Sequence, residues 1–230
     1  MLLARWSLAL CAATASLALA GPASAATCHA ATYSYAGLGT RSAARGVTAT
    51  IIPTAAPDVV DGHIAGWVGV GGYGAGPGGT DEWIQIGIIA FPGSAAQTYY
   101  ELTRPGEQPV LTTIRRTVFV GQRHRFAVLE LAHRPNCWRV WLDGRPVSRP
   151  VLLPRSHGRL TAQAIGESYA GLVEGTCNLY AFTFEHVALA EARANLWSPL
   201  RRFDLFEDPN YLFERMSATS FIARSTTPSR

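Results

Sequence analysis

Three polar side chains stand where they could do chemistry: Gln85, Glu101 and Glu167. Gln85 lies in Glu82-Trp83-Ile84-Gln85-Ile86-Gly87-Ile88. In a strand, residues i and i+2 share a face. Ile84, Ile86 and Ile88 then share one face with Glu82 and read as core. Trp83, Gln85 and Gly87 share the other, open face. In Arg159 to Glu167, the small residues Ala162, Ala164 and Gly166 fall on one side. Gln163, Ile165 and Glu167 fall on the other. Tyr99 and Glu101 separate from Tyr100 and Leu102 in the same way. A sheet face carrying Trp, Tyr, Gln and Glu can be a binding groove. A glutamate on an open sheet face is more often simply solvated, so alternation alone makes neither Gln85 nor Glu167 catalytic.

Other chemistries find less support. There is no Gly-x-Ser-x-Gly, and Ser94 in Pro92-Gly93-Ser94-Ala95 has no identifiable His and Asp partners. The six histidines, His29, His63, His124, His133, His157 and His186, are separated and read as structural or solvated. No cysteine pair has zinc-finger spacing and no H-E-x-x-H occurs, so no metal or other cofactor is expected. Glu101 and Glu167 could form a glycosidase pair. The Glu-x-Asp-x-x-Glu strand of sandwich glucanases is absent, however. The run Gly71 to Gly79 lacks the Gly-Lys-Ser/Thr ending of a phosphate loop and opens no helix. It reads as a flexible loop at a sheet rim.

These residues need a scaffold, and the chain of 230 residues has room for one domain. It is 48% hydrophobic and 16% charged, enough for a sizeable core and against global disorder. All 20 basic residues are Arg, scattered without an aromatic-interleaved stripe, so nucleic acid is not an expected partner. About ten short strands alternate with Gly and Pro turns between Thr32 and Leu189, among them Ile114 to Val120 and a hairpin at Asp143-Gly144. The expected fold is an all-β, two-sheet antiparallel sandwich. Residues 1–25 read as a secretory signal: Arg5, an apolar run from Ser7 to Ala20, then Ala23-Ser24-Ala25. Localisation is then extracellular, with no membrane association after cleavage, and a monomer is expected. Residues 26–190 form the expected sandwich and 191–230 a partly disordered extension. In that extension, Ala190 to Leu196 suggests two helical turns. The aromatics from Phe203 to Phe213 would pack on the sandwich's back, and Ser217 to Arg230 would fray. Cys28, Cys137 and Cys177 remain after cleavage, and the sequence leaves all three pairings open.

The ordered set Tyr35-Ala36-Gly37, Val47-Thr48-Ala49-Thr50 before Pro53, Trp67-Val68-Gly69-Val70, Ile84-Gln85-Ile86-Gly87, Tyr99-Tyr100-Glu101 and Ala162-Gln163-Ala164-Ile165-Gly166-Glu167 resembles the eqolisins. These are glutamic peptidases of family G1, secreted acid proteases with a jelly-roll, concanavalin A-like sandwich. The resemblance spans about Tyr33 to Phe184. It implies that Gln85 and Glu167 match the catalytic dyad. It also implies substrate contacts from Trp67, Tyr35, which stands where the family commonly has Trp, and Tyr99-Tyr100-Glu101, with Trp83 beside them. The implied reaction is direct attack of water on a peptide bond, with Glu167 as base and then acid and Gln85 as oxyanion donor. The implied partner is a polypeptide. The rival reading is a non-catalytic, lectin-like module, whose aromatic face would stack on sugar rings or hold a peptide.

Overall fold

The computed structural model describes residues 28–115, 117–175, 177–191, 196–200 and 203–226. The proposed signal segment and its cleavage site lie outside these residues. In chain order the strands are β1 (Tyr33–Ala43), β2 (Gly46–Pro53), β3 (His63–Gly72), β4 (Glu82–Ala90), β5 (Gln97–Thr103), β6 (Val110–Arg115), β7 (His124–Glu130) and β8 (Cys137–Leu142). They continue with the short β9 (Arg145–Pro146) and β10 (Val151–Leu152), then β11 (Thr161–Tyr169) and β12 (Ala181–Ala190). Last come β13 (Trp197–Pro199), β14 (Phe203–Glu207), β15 (Tyr211–Arg215) and β16 (Phe221–Ser225). One sheet has the order β14-β1-β11-β3-β4-β5-β6. The other runs β10-β8-β7-β2-β12-β16-β15, with β13 on β12 and β9 on β8. The fold is therefore an all-β sandwich of two antiparallel sheets.

The period of two explains how the sheets meet. Ile84, Ile86 and Ile88 of β4 are completely buried against the second sheet, with Val68, Val70, Ala162 and Ala164 beside them. Ile51, Phe126, Val128, Phe182 and Phe184 face them from β2, β7 and β12. Each such fully buried aliphatic or aromatic side chain contributes roughly 2 kcal/mol of hydrophobic stabilisation. Gly66 belongs here because a Cβ on it would come within 2.8 Å of the Phe182 ring. A second, smaller apolar cluster lies on the outer face of the first sheet: Ala65, Trp67, Ile89, Tyr99 and Ile165, flanked by Tyr35, Phe91 and Phe206. Outer faces of sheets are usually polar, so an apolar floor there marks the groove.

Several segments differ from expectation. The strand expected over Ile114 to Val120 is instead Val110–Arg115. Beyond it the Val118 amide bonds the Ala96 carbonyl, and Phe119 and Val120 turn outward. The expected helical turns at Ala190 to Leu196 are not seen where the chain is described: Ala190 ends β12, and residues 192–195 lie outside the described set. The aromatics from Phe203 to Phe213 do not lie across the back of the sandwich. They extend the sheets edgewise, β14 against β1 and β15 against β16. Phe221–Ser225, expected to fray, is hydrogen-bonded between β12 and β15, and Phe221 is buried against Phe184 with ring centroids 4.5 Å apart. Among the described residues, Cys28 and Cys177 form a disulfide and Cys137 is free. Among the described residues no helix is long and apolar enough to cross a membrane.

Candidate active site

The strands β1, β11, β3, β4 and β5 stand side by side, and their outward residues line one cleft of about 270 Å³. Two cross-strand rows define it. Gln163, Gly69, Gln85 and Glu101 are mutual partners across β11, β3, β4 and β5. A second row, four positions before Gly69 on β3, joins Tyr35, Glu167 and Ala65 across β1, β11 and β3. Between them Ile165, Trp67, Gly87 and Tyr99 make the floor. Gly69 is required in the first row because a Cβ on it would sit 2.7 Å from the Gln85 Cβ. With no side chain there, the Gln85 amide is reachable from the cleft.

Each polar group has a defined anchor. The Glu167 carboxylate is 6% exposed as a residue and receives two contacts. The Trp67 indole N–H donates to its Oε2 at 3.0 Å, and His63 Nε2 lies 3.0 Å from its Oε1. Gln85 donates from Nε2 to the Tyr99 hydroxyl at 3.1 Å. An amide nitrogen carries two N–H donors, so the second remains for another acceptor. Glu101 accepts from the Trp83 indole at 2.8 Å. Burial pushes the Glu101 carboxyl above its ordinary range. The Trp83 bond opposes this, the Glu167 charge adds to it, and His63 opposes it. Burial, then the Glu167 charge, raises the Tyr33 and Tyr35 phenols, so both meet the cleft as neutral hydroxyls. Tyr73, at the start of the glycine-rich loop, packs edge-on against Trp83 with centroids 5.3 Å apart.

Gln85, Glu167, Trp67, Trp83, Tyr35 and Glu101, all expected at the site, line this one cleft. Tyr99 is buried beneath it and serves Gln85 rather than the cleft surface. Tyr100 is not at the site. It stands opposite Ile86 and packs on the main core, because its neighbours Tyr99 and Glu101 occupy the outward positions. His63, set aside as structural or solvated, is in the cleft and touches Glu167. The signal that could have found it is parity: His63, Ala65, Trp67 and Gly69 share a face. Tyr33, Tyr73, Pro109, Gln163 and Phe206 also line the cleft. Among the described residues no three His, Cys, Asp or Glu side chains gather to hold a metal ion.

Among solved structures, the chain is similar to a scytalido-glutamic peptidase bound to a peptide-based transition-state analogue. That match has a TM-score of 0.59 and 17% identity, and covers 84% of this chain and 98% of the other. It is also similar to SCP-B, a member of the eqolisin family of peptidases, in complex with the tripeptide Ala-Ile-His. There the TM-score is 0.57 and the identity 15%, with the same coverage of 84% and 98%. At such identity the likeness is one of fold: the two-sheet sandwich here is that of the glutamic peptidases. No protein-family model and no curated protein matches the chain.

Proposed function

We propose that the protein is a secreted endopeptidase of glutamic type that hydrolyses peptide bonds by direct attack of water. The observation that supports this most is the disposition of Glu167 and Gln85 in one aromatic cleft. Glu167 presents a carboxylate fixed on both oxygens, and Gln85 keeps an N–H free. An extended polypeptide would lie along the outward faces of β3, β4 and β11, over Trp67 and beside Trp83 and Tyr35. Glu167 takes a proton from water as the oxygen bonds to the scissile carbonyl carbon. The carbonyl oxygen gains negative charge, and the free Gln85 N–H donates to it. The C–N bond then breaks, and Glu167 returns the proton to the leaving amine nitrogen. Proton count and charge balance over the cycle.

The test is cleavage of an unfolded protein by the purified chain between pH 2 and 7, beside Glu167→Gln. We expect acid cleavage that pepstatin does not block and that Glu167→Gln lacks while melting like the wild type. Full activity in that variant would end the assignment.

A further inference from the structure

We propose that His63 is a positioning residue for this reaction: its Nε2 holds one oxygen of Glu167 and thereby aims the carboxylate at the attacking water. The inference rests on the peptidase reading above and adds a residue to it.

The placement follows from β3 and its register. His63 opens the strand four residues before Trp67, on the same face. It pairs with Tyr169, and the next outward residue, Ala65, pairs with Glu167. The His63 and Glu167 side chains are only 19% and 8% exposed. Three aromatic rings from separate segments enclose the imidazole. Their centroids lie 6.0 Å away for Tyr33 of β1, 5.6 Å for Tyr169 of β11 and 5.9 Å for Phe91 after β4. The ring therefore has little freedom to turn away from Glu167.

A carboxylate held on one oxygen can still swing about its terminal torsion, which is broad in glutamate. Glu167 is held on both, by His63 at Oε1 and Trp67 at Oε2, two residues of one strand. This fixes the carboxylate plane and the direction of its remaining lone pairs. Glu101 contrasts with it: among the described residues it accepts one hydrogen bond, from Trp83. In the reaction His63 exchanges no proton. Water's proton moves to Glu167 as the C–O bond forms, and moves on to the amine as the C–N bond breaks. His63 keeps its contact through both steps. A misplacement of about 1 Å at a reacting group can cost on the order of a hundredfold in rate.

The experiment compares wild type, His63→Phe and His63→Gln on one peptide substrate, with thermal melts of each. His63→Phe preserves an aromatic ring among its three aromatic neighbours and removes Nε2. We expect its kcat to fall by roughly ten- to a hundredfold, with KM within about twofold. His63→Gln supplies an amide N–H and should recover part of that loss. A 15N spectrum of the wild-type imidazole should change in Glu167→Gln, which reads the contact without any activity. An unchanged kcat in His63→Phe, or a folded His63→Gln as slow as His63→Phe, overturns the positioning role and leaves the peptidase reading standing. An imidazole signal indifferent to Glu167→Gln also overturns it, even if neither His63 variant folds. A folded wild type that cleaves nothing overturns both.

Discussion

The two carboxylates of the cleft are held in different ways. Glu167, on β11, has a partner on each oxygen, and one of those partners, His63, meets Tyr33 edge-on. Glu101, on β5, has one indole partner, and burial drives its carboxyl upward with the Glu167 charge adding to the effect. Residue type is the same, and both lie among aromatics. The difference is how many donors each receives and from where. On the proposed reading, the doubly held Glu167 is the reagent and Glu101 contacts the substrate. Gln85 shares its cross-strand row with Glu101, while Glu167 stands in the row four residues back along β3.

That contrast can be sharpened by substitution. Gln85→Ala should cost the most after the loss of Glu167. One preorganised oxyanion donor is worth about 3 kcal/mol, so kcat should fall by at least about a hundredfold with KM little changed, measured by steady-state kinetics. Glu101→Gln should act mainly on KM, raising it several-fold while kcat stays within about tenfold. An equal loss of kcat would erase the distinction between the two carboxylates.

The smallest effects concern stability and pH. A carboxyl whose folded-state value is raised favours the protonated form. Its contribution is fully present below its ordinary value near 4.5 and is lost as pH rises through the folded value. Glu101 behaves this way. So does Glu82, a core-facing carboxyl raised by burial against the opposing charges of Arg159 and Arg155. Among the described residues, its buried Oε1 has no hydrogen-bond partner. Glu82→Gln should therefore melt higher than wild type at pH 7 and no higher at pH 3, by calorimetry. Asp61 works in the opposite sense. Bonds from the backbone amides of Leu172 and Gly62 lower it, so its contribution is present at neutral pH and fades as the solution is acidified.

How legible these features were in the sequence depended on distance along the chain. The isoleucine row of β4 and the outward set Trp83, Gln85, Glu167 were readable because strand parity is local. The same parity separates Tyr100 from Tyr99 and Glu101, yet the family-like segment Tyr99-Tyr100-Glu101 carried all three to the site together. Only two of its side chains can face outward. Parity puts His63 on the outward face, but its contact with Glu167 was hidden, since the two lie 104 residues apart and meet through the β3–β11 register. The late strands were hidden by their mixed patterns. β14 leaves Asp204, Leu205 and Glu207 exposed at a sheet edge, where no buried row announces a strand. Parity could not choose among the three cysteine pairings, since Cys28 and Cys177 lie 149 residues apart and meet only in the fold.

The most direct measurement places Glu167→Gln and Glu101→Gln side by side on one peptide at mildly acid pH. We expect Glu167→Gln to lose kcat by on the order of a thousandfold or more at near-constant KM, with Glu101→Gln keeping kcat within about tenfold. The reverse order, or equal losses in two folded variants, would contradict the assignment of the chemistry to Glu167.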